Sequence, residues 1–309
     1  MTRDRFGFQR AYVASDGRDA STIRALLGTD RSLDRVAVDA FLCGEWPTDR
    51  TMFSAVHQQL PTGPGAERGT GSLAEQLERA IARAVETAPR PLAVALSGGL
   101  DSAVVLALAR RMDSTIDALV LETDLPDYSD REVANALRTA DELGAGVRTI
   151  RVGDFAHPTR QAVGAFEMPL YNLHPLSKWH LASGARRAGI AAVISGDGAD
   201  QVFRHDTSAD YLPLVAAAFD AHGVPLYAPF LEVLGVERDP DKRLLREHAA
   251  TLGMRDELVH GPKLSRLAPE LPFYAPIDRL AQLLDRPIAG DRTRWGTLAL
   301  LVDIFEAWT

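Results

Sequence analysis

LAVALSGGLDSAVVLALA, residues 92–109, joins two apolar runs through a turn of Ser97, Gly98 and Gly99, followed at once by Asp101 and Ser102. The first run is short and continuous, which suits a strand buried on both faces, and the second is long enough for a helix. Two adjacent glycines remove both Cβ atoms and open positive φ, so the amides of the turn and of the new helix can point at one place. A helix N-terminus carries partial positive charge and receives anions. The hydroxyls of Ser97 and Ser102 add donors. Asp101 is the odd member, because a carboxylate repels a phosphate. A divalent cation between the two removes the conflict, and Mg²⁺ prefers such oxygen ligands. The plain alternative is a tight strand-to-helix turn with Asp101 as an ordinary first-turn acid. A Walker A loop is excluded, since GxxxxGK[ST] is absent and the turn holds no lysine.

Outward from this turn, strands and helices alternate. Upstream, Ser72-Leu73-Ala74-Glu75 has the form of a capping box, and Leu73, Leu77, Ile81 and Val85 follow at helical spacing. A helix is therefore expected over 72–87. Apolar runs predict strands at 91–96, 116–121, 147–152 and 190–194, with helices at 101–112, 129–144, 159–166 and 175–188. This order predicts an α/β fold with a doubly wound parallel sheet and helices on both faces, ligands sitting beyond the carboxyl ends of the strands. Beyond Asp206 the pattern is mostly helical. Ahead of residue 72, the Gly- and Pro-rich stretch 61–71 reads as a linker, and 33–44 has helical spacing ending at Gly44.

The chain has 309 residues, 46% hydrophobic and 25% charged, enough for one sizeable core or a core with a small annex. A formal net charge of −8 argues against a surface for nonspecific nucleic-acid binding. The single cysteine, Cys43, allows no intrachain disulfide and no thiolate metal cluster. The N-terminal residues hold no apolar signal core, and no apolar run is long enough to span a bilayer. The expectation is a cytoplasmic protein without nucleic-acid or membrane partners.

A second turn follows the same plan. In AAVISGDGADQVF, residues 191–203, an apolar strand again delivers a small, acidic turn to the carboxyl edge of the sheet. Asp197 and Asp200 are three residues apart and can face one cavity. With Asp101, Asp200 would complete a metal site.

SGGLDS at 97–102 resembles the PP-loop, SGGxDS, of the ATP pyrophosphatase group. In that group the loop binds the pyrophosphate part of ATP, and the bond between the α and β phosphates is broken. SGDGAD at 195–200 resembles the second signature of the synthetase domain of asparagine synthetases, shared with β-lactam synthetases and lasso-peptide cyclases. The likeness continues in order through 72–309. LYAPFL at 226–231 is similar to "VRVPFLD", KRLLREHA at 242–249 to "K.LLR.A", and Lys263 in GPKLS to the lysine of "RPK". The resemblance implies ATP and Mg²⁺. Asp101 and Asp200 would hold the metal, while Ser97, Gly98, Gly99 and Ser102 would hold pyrophosphate. Leu96, Leu121, Ser195 and Gly196 would line the adenosine, and Lys263 would steady the negative charge that builds on phosphate and carbonyl. Asp197 stands where asparagine synthetases have Asp or Glu and β-lactam synthetases Tyr; a carboxylate there can take the amine's proton as general base. Glu167, in FEMP, is expected to line the acceptor-acid pocket by the same likeness.

Departures from the family's pattern set further expectations. Thr2 stands where the glutaminase part of asparagine synthetases has its catalytic cysteine, and 34–61 resemble only the tail of that part. The organisation expected is a truncated N-terminal region, 1–71, before a synthetase domain, 72–309, without glutamine hydrolysis. Gln201-Val202-Phe203-Arg204-His205 replaces the usual "ELFGGY", which changes the acceptor wall and argues against aspartate as acceptor. Arg204 and His205 meet either an anionic acceptor group or solvent. His157, His174 and His180 lack metal-ligand spacing, and Trp179 reads as packing. The function expected is AMP-forming amide synthesis in natural-product biosynthesis. It would join a small-molecule or peptide carboxylate to an amine taken from outside, from the same molecule or from a separate supplying protein. A homo-oligomer is left open. Two alternatives stand beside it: a PP-loop enzyme adenylating a nucleobase or tRNA, and a noncatalytic nucleotide-binding subunit.

Overall fold

The computed structural model describes residues 4–46, 48–63, 69–125, 130–205, 211–261 and 271–308. The chain opens with β1 (Tyr12–Ala14), β2 (Asp19–Ala20), the one-turn α1 (Ile23–Leu26), α2 (Arg35–Leu42) and β3 (Val56–Gln58). β1 lies between β2 and β3, antiparallel to both. α2 begins where the Asp34 carboxylate accepts hydrogen bonds from the amides of Val36 (3.0 Å) and Ala37 (3.1 Å). That satisfies two of the four amides a helix start leaves open. Its apolar spacing buries Val38, Phe41 and Leu42.

The larger part alternates as its apolar runs predict. It comprises α3 (Leu73–Thr87), β4 (Leu92–Ala95), α4 (Leu100–Met112), β5 (Asp117–Thr123), α5 (Asp130–Glu142), β6 (Val147–Val152), α6 (Thr159–Phe166), α7 (Leu176–Arg187) and β7 (Ala192–Ile194). Then come α8 (Ala199–Arg204), α9 (Leu212–Ala221), β8 (Leu226–Tyr227), a 3-10 turn (Pro229–Glu232), α10 (Arg243–Thr251), α11 (Asp256–His260), α12 (Ile277–Leu284) and α13 (Arg292–Ile304). The capping box forms: Ser72 Oγ accepts from the Glu75 amide, and the Ser72 amide donates to the Glu75 carboxylate at 2.7 Å. The two-residue β8 escaped the sequence pattern, because two residues carry no period. Ser129, expected to open α5, lies outside the described residues.

The five-stranded sheet has the order β6-β5-β4-β7-β8, and every pairing in it is parallel. This is the doubly wound arrangement. The chain steps outward from β4 to β6, returns across the sheet, and continues from β7 to β8. The direction therefore reverses between β4 and β7, which pair in the register Leu92↔Ala192 to Val94↔Ile194. Alternate strand residues point to opposite faces. Ala93, Ala95, Leu119, Leu121 and Val193 enter one core with α6, α7, α9 and α13; Leu92, Val94, Val120 and Ile194 enter the other with α3, α4, α5 and α10. β4 is buried at all four residues, as its unbroken apolar run requires, while the edge strand β6 exposes half of its length.

The N-terminal residues share the first of these cores. Tyr12, Phe41 and Phe53 pack in one cluster with Leu119 and Phe305. The Phe53 and Phe305 rings lie 4.9 Å apart, Arg31 Nη1 donates to the Phe305 carbonyl at 2.9 Å, and Arg10 Nη1 donates to the Ala165 carbonyl at 3.0 Å. The residues ahead of 72 are thus joined to the rest by continuous apolar packing. Among the described residues, no helix is long and apolar enough to cross a membrane.

Candidate active site

The turns after β4 and β7 meet at the point where the strand order reverses. The contact is backbone to backbone: a Cβ on Gly196 would lie 2.9 Å from the Ser102 amide nitrogen and 3.0 Å from the Asp101 carbonyl carbon. Gly98 has φ +76°, and a Cβ there would lie 2.2 Å from the Glu132 carbonyl oxygen on α5. Gly198 has φ +92°, and a Cβ there would meet Leu231 Cδ2 at 2.4 Å. The LYAPFL segment therefore backs the second turn. These glycines answer steric demands that no other residue meets.

Between and around the turns lies a cavity of about 510 Å³. It is lined by Leu96, Ser97, Gly98, Gly99, Asp101, Ser102, Leu121, Ser195, Gly196, Asp197 and Asp200, so residues expected at the pyrophosphate, adenosine, metal and base positions share one space. Ser102 does more than line it. Its Oγ accepts from the Ser97 amide (3.1 Å), donates to the Gly99 carbonyl (3.1 Å) and lies 3.1 Å from Ser97 Oγ, which shapes the turn. No side chain caps α4. Its first-turn backbone, Gly99 to Asp101, borders the cavity, so the positive end of that helix is directed at the space.

The acidic side chains are engaged by lysines that sequence reading left without a site role. Lys242 Nζ lies 2.8 Å from Asp101 Oδ1, 2.6 Å from Asp101 Oδ2 and 2.9 Å from Asp200 Oδ1. Lys178 Nζ, on α7, lies 2.8 Å from Asp197 Oδ2. Lys242 caps α10 with φ +55° and ψ +41°, the left-handed region, which costs a non-glycine residue about 1–2 kcal/mol. The only local signal for Lys242 was its place at the head of KRLLREHA; Lys178 has none. Arg204 Nε stands 3.7 Å from Asp200 Oδ1. His174 and Tyr211 stack with ring centroids 6.1 Å apart, and both line the cavity.

Mg²⁺ fits the donor chemistry. Asp101 and Asp200 offer hard carboxylate oxygens from two turns that already bracket one cationic nitrogen at 2.6–2.9 Å. Among the described residues no group of three or more His, Cys, Asp or Glu is placed to hold a metal, so further oxygens would have to come from phosphate or water.

Lys263 is outside the described residues, while Gly261, which opens GPKLS, lines the cavity. Glu167, expected at the acceptor pocket, is not among the cavity-lining residues. It is buried, and its carboxylate accepts from the amides of Ile23 (2.5 Å) and Arg24 (3.4 Å), so it caps α1. Burial pushes its carboxyl up despite these bonds and the nearby Arg10 and Arg24. His205 Nε2 lies 2.8 Å from the Val236 carbonyl oxygen. His180 lies against the Phe155 carbonyl, its pKa held down by burial. Trp179 packs edge-on against Phe166 and His222, with centroids 5.9 Å and 4.5 Å away. Cys43 is exposed at the end of α2.

A profile of the asparagine synthase family matches residues 72–257, which include both acidic turns and Lys242. Amidase chry2 of Gibberella zeae is 32% identical over 128 aligned residues, covering 37% of this chain and 19% of that protein. Amidase chyE of Penicillium rubens is 30% identical over 129 residues, with the same two coverages of 37% and 19%. The chain thus spans about 19% of the length of these curated relatives. Among solved structures, NMN synthetase from Francisella tularensis aligns with a TM-score of 0.37 and 14% identity, over 76% of this chain and 94% of that one. With both motifs inside a match that takes in more than half of its length, the chain belongs to the asparagine synthase family.

Proposed function

We propose that the protein is an ATP-dependent, amide-forming ligase that activates a carboxylate as an acyl-adenylate. In the first step a carboxylate oxygen attacks the α-phosphorus of ATP, and pyrophosphate leaves. In the second an amine attacks the acyl carbon, AMP leaves with that oxygen, and the amine's proton passes to a base. The residues fit these tasks by position. The turn of Ser97–Gly99 and the first turn of α4 present amides to the leaving pyrophosphate. Asp101 and Asp200 would hold Mg²⁺, which offsets polyphosphate charge when bound. Asp197, at the mouth of the second turn, is the candidate base, and Lys178 holds its Oδ2 in place.

The observation that carries this reading is the backbone contact of Gly196 with Ser102, which sets both acidic turns on one cavity. Arg204, in place of a glycine of the family's pattern, would narrow the acceptor side and favour an acceptor other than aspartate. The two amidase-named relatives are in keeping with chemistry at a carbon–nitrogen bond, and a natural-product acid or peptide is the substrate class proposed. The test is a panel of carboxylates and amines scored for AMP and pyrophosphate, followed by the productive acid labelled with oxygen-18. Label in AMP is the expected result; ADP and phosphate as products, or unlabelled AMP, would overturn the proposal.

A further inference from the structure

We infer that Lys242 is a positioning residue that holds the cation place between Asp101 and Asp200 in the nucleotide-free protein, so that a divalent cation enters only together with polyphosphate. The inference rests on the reading of this cavity as the seat of a metal–nucleotide complex.

Three observations converge on it. The Lys242 ammonium contacts carboxylates of two different turns, at 2.6 and 2.8 Å on Asp101 and 2.9 Å on Asp200. Its side chain is only 9% exposed, with Nζ 5.9 Å from the centre of the Phe203 ring. An ammonium so far removed from water is costly unless paired, and two carboxylates on abutting turns repel unless a positive charge stands between them. Each of these charges answers the other.

The segment carrying Lys242 is also built onto the element carrying Asp200. The Asp239 amide donates to the Phe203 carbonyl at 2.7 Å, the Lys242 amide donates to the Asp239 carbonyl at 2.9 Å, and the Arg243 amide donates to Asp239 Oδ2 at 2.6 Å. Lys242 itself takes the left-handed conformation, which persists only where its surroundings determine it. A free divalent cation would therefore meet a fixed ammonium in its place. A polyphosphate brings enough negative charge to give both cations partners at once.

The test measures Mn²⁺ alone, by electron paramagnetic resonance titration of the free protein. Weak binding is expected for the wild type. Lys242→Met keeps an unbranched stem against Phe203, and it should bind Mn²⁺ at least tenfold more tightly; adding Asp200→Asn should abolish that gain. A lysine serving only to hold the fold would not yield increased cation affinity when removed. Lys242→Gln replaces the Met variant if thermal melting shows the latter unfolded. Tight Mn²⁺ binding by the wild type without nucleotide, or no gain in a folded Lys242 variant, would overturn the inference. Calorimetry with a non-hydrolysable ATP analogue separates the two ideas: failure to bind it removes the ATP reading, while the Mn²⁺ comparison decides the role of Lys242.

Discussion

Gly196 and Ser102, almost a hundred positions apart in sequence, stand in backbone contact: no Cβ fits on Gly196 without coming within 2.9 Å of the Ser102 amide nitrogen. Both sides of this contact are main chain, so neither can yield as a flexible side chain would. Gly196→Ala is expected to force the two turns apart, destabilising the fold by about 1–3 kcal/mol. Urea unfolding checks the stability, and calorimetry with an ATP analogue should read a loss of affinity beyond what the unfolded fraction explains. Gly98→Ala adds strain at positive φ to a 2.2 Å clash with the Glu132 carbonyl, and should be the more damaging of the two.

Asp197 and Lys178 form a pair on the cavity wall with their charges 2.8 Å apart. If Asp197 takes the amine's proton, Asp197→Asn should lower kcat for amide formation by about 10²–10⁴-fold, with ATP affinity within about twofold of wild type. Lys178→Met leaves that carboxylate without its partner and free to turn. A smaller loss in kcat is expected, with partial rescue by Lys178→Arg. Steady-state pyrophosphate release on the productive acid and amine reads both. Equal losses in nucleotide affinity for the two variants would show the pair to be part of the ATP seat instead.

Glu167 should make stability depend on pH in an unusual direction. Burial raises its carboxyl pKa above the ordinary 4.5, so near and above that value the folded state holds more protons than the unfolded one. Stability then falls as pH rises from about 4.5 through the folded-state pKa, and levels off above it. Glu167→Gln removes this titration while keeping an oxygen to accept from the Ile23 amide. The variant's stability relative to wild type should increase across that window, as measured by denaturant midpoints at several pH values.

Asp34 should act in the opposite sense. Burial works to raise its pKa, but the Arg50 guanidinium at 2.8 Å and the first-turn amides of α2 outweigh burial and hold it below 3.8. Its contribution is present above pH 3.8 and is lost as pH falls through the folded-state pKa. Asp34→Ala should cost about 1–2 kcal/mol at neutral pH through the lost cap, and the difference from wild type should shrink in acid. Thermal melting at pH 7 and near pH 3 provides the comparison.

Much of the architecture was legible because its signals are local. The continuous apolar run of β4 announced a strand buried on both faces, and Ser72 with Glu75 announced the start of α3. Gly98 in the first turn announced a backbone conformation that other residues resist. β8 was missed because two residues carry no period, and likeness to a family's motif does not say which way a buried carboxylate such as Glu167 faces. In the structure it turns to two backbone amides of α1.

The chain's own order of apolar runs, glycines and acids determined the wound sheet, the edge that bears the site and the carboxylates Asp101, Asp197 and Asp200, since each depends on conformational preferences within a few residues. Tertiary structure alone decided which cations those carboxylates face. Lys242 lies 141 positions from Asp101, and Lys178 lies 19 from Asp197, among 34 lysines and arginines that look alike in one dimension. Packing of α7 and α10 selects two of them, because removing a charge from water is tolerable only where an opposite charge is held within reach.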